Sequence, residues 1–326
     1  MEYVIIAEKL SKRYGIIEAV RGVSFRIRRG EIYGFLGPNG AGKTTTLGML
    51  TTIIKPTSGE AYVAGYSITK EPWKVRERIG VVFQDPTVDK NLTALENMVI
   101  HGLMYGIPRR EAKRRALELL EFVGLKGFAN VQVKKFSGGM IRRLEIARAL
   151  MNTPEILFLD EPTIGLDPQS RAKVWEVIRR LRREGVTIFL TTHYMDEAEK
   201  LCDRVAIIDH GVIIAEGNPE KLKSLIGSDL IYVEANGEVK DIIRRLSDYG
   251  EVKIGRNMIT LKVKDAPSIL PEIVKIFYKT GIPIRSIKYS RPSLDDVFLY
   301  LTGRRLRDEE GDWRTFARLR FRRRFR

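Results

Sequence analysis

The segment GPNGAGKTT, residues 37–45, contains the complete phosphate-loop pattern G-x-x-x-x-G-K-T. The segment EIYGFL ahead of it, residues 31–36, predicts a short buried strand, and residues 44–50 can begin a helix. In this strand–loop–helix setting, glycines let successive backbone N–H groups converge on one point, and the helix N-terminus adds its positive end. The alternative, a glycine-rich turn without a ligand, leaves the rest of the pattern unexplained. The sequence therefore predicts a nucleoside triphosphate site.

Two residues of the loop have roles that follow from their side chains. Lys43 can reach the β- and γ-phosphates, and the Thr44 hydroxyl can bind Mg²⁺. We expect ATP and Mg²⁺ as the bound species. The predicted nucleotide-binding residues of the loop are Gly37, Pro38, Asn39, Gly40, Ala41, Gly42, Lys43, Thr44 and Thr45.

A second buried strand is predicted at ILFLD, residues 156–160, and it ends in a carboxylate. Ligands of open α/β sheets bind at the carboxyl ends of parallel strands, which favours Asp160 as an Mg²⁺ ligand. The adjacent Glu161 can polarise an attacking water. A further apolar run, residues 186–190, leads to His193, which could contact the γ-phosphate. The alternative for His193 is an ordinary packed or surface histidine.

Six motifs occur along the chain in an order that resembles the nucleotide-binding subunit of an ATP-binding cassette (ABC) transporter, over about residues 2–220. They are the phosphate loop, Gln84 after the apolar residues 79–83, Ser137-Gly138-Gly139, Asp160-Glu161, Gly165-Leu166-Asp167 and His193. The resemblance implies an α/β phosphate-loop NTPase cassette at residues 1–222. Such a cassette has a RecA-like core, an antiparallel β subdomain and a helical subdomain, here at about residues 85–150.

The resemblance also assigns residues outside the phosphate loop. Ser137, Gly138 and Gly139 would contact the γ-phosphate of a nucleotide held by a second subunit, and Asp167 would contribute to the same nucleotide site. This is physically reasonable, because these residues can open a helix that directs N–H groups at an anion. Gln84 would bind Mg²⁺, take part in catalysis and link the metal site to the surface that grips a membrane subunit.

Three features of the sequence refine or test the resemblance. Tyr14 lies where the family places an aromatic ring against adenine, although a strand-edge tyrosine is the open alternative. The usual family signature is LSGGQ, whereas this chain has Phe136 and Met140 in the first and last positions. The form SGGM followed by Arg142-Arg143 is similar to the drug-resistance and sodium-efflux branch of the family.

The resemblance implies a mechanism in which two cassettes, most simply a homodimer, face head to tail and sandwich two Mg-ATP. Lys43 and Mg²⁺ would neutralise the developing charge, while Glu161 and His193 position the water. Hydrolysis would open the dimer and drive an integral-membrane permease, in the direction of export. The protein is then expected in the cytoplasm, peripheral on the inner face of the cell membrane, and the permease would select the cargo.

Composition limits the alternatives. No apolar run approaches the roughly 18 residues of a membrane-spanning helix, and the single Cys202 cannot form an internal disulfide. A net charge of +16 keeps open a nucleic-acid- or ribosome-associated ATPase. Only 93 residues separate Lys43 from Ser137, which leaves no room for a long coiled coil, and there is no second phosphate loop. These features argue against an ATPase that acts on nucleic acid.

The third alternative is a nucleotide-gated regulator that binds ATP without hydrolysing it. The presence of both Glu161 and His193 argues against this alternative.

Residues 228–303 predict a second, α+β domain of the ferredoxin-like type, because strands and helices alternate there as βαββαβ. It would serve dimer contact or regulation, or simply stabilise the chain. The predicted segments are strand 229–234, helix 238–247, strands 251–254 and 258–263, helix 267–280, strand 284–289 and helix 293–301.

The tail at residues 304–326 has ten arginines against four acids, a net +6 of the chain's +16. A charge run of this kind is usually solvated and disordered. The alternative is attachment to anionic lipid headgroups beside the permease, worth about 1 kcal/mol per basic residue. We expect disorder in the free protein and lipid contact in the assembly.

Overall fold

The computed structural model describes residues 2–224, 229–235, 240–254, 258–290 and 292–302. These residues form two compact units, of which the first extends to Pro219 and the second begins at Glu220. The elements of the first unit are β1 (Tyr3–Tyr14), β2 (Ile17–Arg28), β3 (Ile32–Leu36), α1 (Lys43–Leu50), β4 (Ser58–Val63), β5 (Tyr66–Ser67), α2 (Pro72–Arg78), β6 (Ile79–Val82), α3 (Ala94–Met104), α4 (Arg109–Phe122), α5 (Gly138–Ala149), β7 (Ile156–Asp160), α6 (Pro168–Arg183), β8 (Thr187–Thr192), α7 (Met195–Leu201), β9 (Arg204–Asp209) and β10 (Val212–Gly217). Helix α8 (Pro219–Ser224) starts at the boundary between the units.

The central sheet has six strands in the order β10-β9-β3-β8-β7-β6, all parallel except β10. Strands β3, β7 and β8 are buried along their whole length, as expected when helices cover both faces of a parallel sheet. Their carboxyl ends meet at one edge, where Leu36 pairs with Thr192 and Asp160 pairs with Thr191. Side chains that follow these strands are therefore brought together.

A second sheet of the first unit, β2-β1-β4-β5, packs against the central sheet through aromatic rings. Phe25 of β2 lies 5.6 Å from Tyr33 and 5.5 Å from Phe35, both on β3. Phe189 on β8 lies 5.6 Å from Phe35 and from Phe158 on β7. Such ring pairs contribute about 0.5–1.5 kcal/mol each beyond their burial. They fix the three strands whose ends carry the predicted site residues.

Helices α3, α4 and α5 lie between β6 and β7 and correspond to the predicted helical subdomain. Helix α3 begins with a capping box, in which the N–H of Glu96 donates to Thr93 Oγ1 at 3.2 Å and the N–H of Thr93 donates to Glu96 Oε2 at 2.8 Å. Helix α4 is highly charged, yet it buries Ala112, Ala116 and Leu120, spaced four residues apart along one face. Two 3₁₀ turns, Lys126–Phe128 and Val133–Lys135, connect α4 to α5.

The second unit has the predicted βαββαβ order. Its elements are β11 (Asp229–Ala235), α9 (Lys240–Ser247), β12 (Glu251–Ile254), β13 (Met258–Val263), α10 (Ala266–Thr280), β14 (Ile284–Ser290) and α11 (Leu294–Thr302). The sheet order is β12-β13-β11-β14 with antiparallel pairs throughout, so the predicted ferredoxin-like arrangement is confirmed. Its core includes Ile231, Leu261 and Phe277. Helix α10 ends at Gly281, whose φ of +72° is the left-handed conformation common after a helix.

Within the described ranges, no helix combines the length and the apolar composition that a membrane-spanning segment needs. The arginine-rich tail at residues 304–326 lies outside the described residues.

Candidate active site

The phosphate loop leaves β3 and leads into α1, and its glycines are required by the backbone. Gly42, which precedes α1, has a φ of +105°, a conformation that is open to glycine without steric cost. A side chain at Gly37 would place its Cβ only 2.2 Å from the carbonyl oxygen of Ile208. Gly42 therefore lets the chain turn into α1, and Gly37 lets it pass close to the backbone of β9.

The Lys43 side chain folds back over this loop. Its Nζ donates to the carbonyl oxygens of Gly37 at 2.8 Å and Pro38 at 3.0 Å, and lies 3.2 Å from Glu161 Oε1. A buried ammonium group needs such partners, because burying an unpaired charge is costly. Phosphate oxygens are equivalent acceptors, so the ammonium group can exchange these partners for a nucleotide.

Two oxygen atoms of the predicted metal site lie side by side at the end of β7. Thr44 Oγ1 donates to Asp160 Oδ1 at 3.2 Å, and the Thr191 hydroxyl donates to the same oxygen. Adjacent ligands of an octahedral Mg²⁺, each about 2.1 Å from the ion, lie about 3.0 Å apart, so the spacing of Thr44 and Asp160 fits this ion. Burial raises the pKa of Asp160, because low-dielectric surroundings disfavour the charged form.

The carboxylate of Glu161 lies between Lys43 and His193. His193 Nδ1 lies 3.0 Å from Glu161 Oε2, and since a carboxylate only accepts, Nδ1 carries the proton. Burial opposes ionisation of Glu161, but the hydrogen bond from His193 and the charge of Lys43 outweigh it and lower the pKa of Glu161. The carboxylate is therefore ionised near pH 7 and can accept a hydrogen bond from water.

The backbone of Glu161 is in an uncommon conformation, with a φ of +47°. Its N–H donates to both the carbonyl oxygen and the hydroxyl of Thr191, each at 3.1 Å. A non-glycine residue in this region costs about 1–3 kcal/mol and persists only where its surroundings hold it there. Thr191 supplies part of that support.

The segment predicted to face a second nucleotide opens helix α5. Ser137 caps the helix by accepting from the Met140 N–H at 3.3 Å, and the helix starts at Gly138. Ser137 and Gly138 are both exposed, so this helix N-terminus is available to an anion. Phe136 packs edge-on against Phe128 at 6.2 Å between ring centroids. That contact accounts for an aromatic residue in place of the usual leucine.

Tyr14 and Asp167 each have a defined local environment. Tyr14 ends β1 with 46% of its surface exposed, and Lys12 Nζ lies 5.0 Å from its ring centroid. The carboxylate of Asp167 caps α6 by accepting from the N–H groups of Gln169 at 3.0 Å and Ser170 at 2.9 Å. Asp167 therefore has a structural role besides the predicted nucleotide contact.

The loop that carries Gln84 is bound to α5 from several sides. The Gln84 side chain is exposed, whereas its carbonyl oxygen and that of Phe83 accept hydrogen bonds from Arg142. Glu145 accepts from the Thr87 N–H at 2.7 Å and pairs with Arg142 at 3.1 Å, with both side chains of the pair buried. Sequence reasoning missed this pair, although opposite charges three residues apart in a largely buried helix are a signal.

Two other residues near the site were also missed. Thr191 could have been found as a hydroxyl at the end of an apolar strand, two residues before His193. Glu197, a fully buried acid on α7, has no comparable signal, because α7 is short and otherwise ordinary in composition.

Comparison with known proteins adds independent findings. The family description "ABC transporter" matches residues 20–164, and "ATP-binding protein DrrA1-3-like, C-terminal domain" matches residues 217–302. The daunorubicin resistance ATP-binding protein DrrA2 of Streptomyces coeruleorubidus is 41% identical over 314 residues, which cover 94% of this chain and 98% of that protein. The linearmycin resistance ATP-binding protein LnrL of Bacillus subtilis (strain 168) is 41% identical over 308 residues, or 93% and 99% of the two chains.

Solved structures give the same result for the fold. A dimeric, post-hydrolysis ATP-binding cassette bound to ADP and Pi superposes with a TM-score of 0.60 at 32% identity. The match covers 66% of this chain and 98% of that cassette.

Proposed function

Since this chain belongs to the ATP-binding subunits of ABC transporters, we propose that it couples its ATP hydrolysis to export through a separate membrane permease. Two relatives are named for resistance to daunorubicin and to linearmycin, which supports export as the direction. The observation that carries the proposal is the cluster of Lys43, Glu161 and His193 next to Thr44 and Asp160.

In the proposed reaction, the oxygen of a water attacks the γ-phosphorus of ATP while the bond to the bridging oxygen of ADP breaks. Lys43 contacts the transferred phosphoryl group and stabilises its charge. Glu161 orients the water and accepts its proton. His193 donates Nδ1–H to Glu161 and so fixes the orientation of the carboxylate. When the ring carries both protons, its Nε2–H can also donate to the γ-phosphate.

Thr44 and Asp160 would hold Mg²⁺, and Gln84 is proposed to join them when nucleotide is bound. The 3.2 Å spacing of the Thr44 and Asp160 oxygens supports this assignment. When bound there, the ion would neutralise part of the charge of the phosphates.

A second copy of the chain is the proposed partner for nucleotide binding. The exposed Ser137 and Gly138 at the start of α5 support an anion contact there, so one protomer would complete the site of the other. Tyr14, with its exposed ring, is proposed to stack on adenine.

The proposed permease-docking groove lies beside the Gln84 loop. It has a volume of about 220 Å³, and Phe83, His101, Tyr105 and Arg148 are among the residues that line it. Helix α3, which carries His101, also bears exposed apolar side chains, of which Met104 is 79% exposed. An apolar surface of this kind fits a helix of a partner subunit. A permease helix in this groove would contact Phe83, which precedes Gln84. The position of the Gln84 loop could therefore change with the position of the permease helix.

Affinity purification from solubilised membranes tests this groove. We expect Met104→Glu to lose a co-purifying polytopic membrane protein while it keeps its ATP turnover. Ile16→Glu is the matched control, because Ile16 is 91% exposed in the turn between β1 and β2 and lies outside the groove. Equal recovery of the membrane protein by both variants would exclude this docking surface.

Peripheral attachment to the inner face of the membrane is proposed to involve the arginine-rich tail. Ten arginines in residues 304–326 support contact with anionic headgroups. Deletion of residues 318–326 should lower sedimentation with vesicles that contain phosphatidylglycerol, and not with purely zwitterionic vesicles. Unchanged sedimentation with the anionic vesicles would remove this part of the proposal.

A further inference from the structure

Glu197 is a fully buried acid for which the proposed reaction has no use. Its Oε1 accepts from Thr163 Oγ1 at 2.8 Å and from Trp175 Nε1 at 2.9 Å, whereas Oε2 is buried and makes no hydrogen bond to the residues that the structure describes. An incompletely paired buried acid destabilises a protein, and burial raises the pKa of this one. Such a group is better explained by what it positions than by stability.

Thr163 and Trp175, the two donors to Glu197, belong to different parts of the site. Thr163 follows Glu161 by two residues, and the Ile164 N–H donates to the Glu161 carbonyl oxygen at 3.2 Å, closing a tight turn around it. Trp175 lies on α6, while Glu197 lies on α7, four residues after His193. One carboxyl oxygen therefore joins the turn that begins at Glu161 to both helices.

A second contact fixes α6 against the His193 segment. The Arg171 guanidinium on α6 lies 4.5 Å from the ring centroid of Tyr194, and that ring lies 4.1 Å from the ring of His193. Arg171 also approaches Asp196 at 3.5 Å. The Arg171 contacts and the Trp175–Glu197 hydrogen bond therefore connect α6 to the segment after β8 at two separate points.

The left-handed backbone of Glu161 needs support on both sides. Thr191 holds the N–H of Glu161, and the hydrogen bond between Thr163 and Glu197 anchors the chain just beyond it. We propose that Glu197 is a positioning residue for ATP hydrolysis. Through Thr163 it holds Glu161 in its conformation, and through α7 it sets the distance from Glu161 to His193. This inference rests on the proposed roles of Glu161 and His193.

A matched pair of variants separates positioning from simple structural support. Thr163→Val and Trp175→Phe each remove one donor to the same oxygen of Glu197, but only Thr163 belongs to the turn after Glu161. We expect Thr163→Val to lower kcat about tenfold with less than about a twofold change in the KM for ATP, the effect of losing one buried hydrogen bond in the transition state. Trp175→Phe should keep kcat within about twofold of the parent protein.

Rescue variants keep the inference testable if a variant folds poorly. Thr163→Ser retains the donor and should restore kcat, and Glu197→Gln retains the accepting oxygen and should do the same. Glu197→Leu removes the acceptor and should lower kcat as Thr163→Val does, with no further loss in the double variant. Melting temperatures measured beside kcat identify any variant that is only destabilised.

Three results would overturn the inference. These are an equal kcat in Thr163→Val and Trp175→Phe, a normal kcat in folded Glu197→Leu, or a failure of Thr163→Ser to restore activity.

The proposed function is tested separately by Glu161→Gln. If that variant turns over ATP normally, the role of Glu161 is wrong. If it is inactive while Thr163→Val is fully active, only the role of Glu197 is wrong.

Discussion

Replacing Arg142 by methionine should both destabilise the first unit and release the loop that carries Gln84. The guanidinium donates to the carbonyl oxygens of Phe83 and Gln84 and to Glu145 Oε2, so the substitution removes three hydrogen bonds at once. Methionine has a similar length and no charge, which limits the change in packing. The variant therefore reports the combined contribution of the charge and its three hydrogen bonds.

The size of the stability loss follows from Glu145, the buried acid that Arg142→Met leaves without its ion-pair partner. Glu145 is 2% exposed, and without Arg142 it keeps the Thr87 hydrogen bonds but loses its ion-pair partner. Removing one member of a buried ion pair typically costs about 3–5 kcal/mol. Arg143→Met is the matched control, because that neighbouring arginine donates to the Val123 carbonyl oxygen and leaves no buried acid unpaired. We expect it to cost about 1 kcal/mol.

The loss of folding stability in Arg142→Met should be larger at high pH than at low pH. Burial raises the pKa of Glu145 although Thr87 and Arg142 oppose the rise, so loss of Arg142 raises that pKa further. A carboxyl with a higher pKa in the folded than in the unfolded protein favours folding below its unfolded pKa, and that contribution is lost as the pH rises. Arg142→Met should therefore lose more stability at pH 8 than at pH 5.

Urea unfolding of the first unit can be followed by tryptophan emission, because Trp73 and the buried Trp175 both lie in this unit. The account predicts a larger loss for Arg142→Met than for Arg143→Met, and a larger loss at pH 8 than at pH 5. Equal losses for the two variants, or a pH-independent loss for Arg142→Met, would refute the reasoning.

Two further predictions concern packing. A Cβ at Gly139 would lie 2.6 Å from Ser170, whereas one at Gly138 would lie 3.3 Å from the flexible end of the Leu166 side chain. Gly139→Ala should therefore lower the free energy of unfolding by about 1–3 kcal/mol, and Gly138→Ala should lower it by less. Melting temperatures of the two variants measure this difference. Equal costs would show that the approach of α5 to α6 is not close. Phe277→Ala should destabilise the second unit by about 3–5 kcal/mol in calorimetry while ATP turnover by the first unit is kept. Loss of turnover would contradict the assignment of every reaction step to the first unit.

Local sequence patterns were sufficient to predict the parts of the fold that depend on backbone geometry. The phosphate loop follows a short buried strand and opens a helix, because Gly37 and Gly42 are required where they lie. Asp160 is the last residue of β7 and His193 follows β8 in the same sheet, so the position of each at a strand end was enough to bring them to the same edge. In the second unit, the alternation of strands and helices predicted the ferredoxin-like order.

Contacts between distant helices could not be predicted in the same way. The hydrogen bonds of Arg142 and Glu145 to the Gln84 loop depend on how α5 packs against the end of β6, which no local pattern specifies. The contact of Glu197 with Thr163 depends in turn on the crossing of α6 and α7. A buried acid of this kind resembles a surface acid in the sequence.

The most direct test of the central claim compares Glu161→Gln with Lys43→Met in ATP binding, ATP turnover and ATP-dependent association. The account predicts that Glu161→Gln binds ATP and forms a dimer during size exclusion in ATP, with kcat lowered at least about 100-fold. Lys43→Met should lose ATP binding and remain monomeric. Turnover by Glu161→Gln at the rate of the parent protein would contradict the account, and so would ATP binding by both variants without any association.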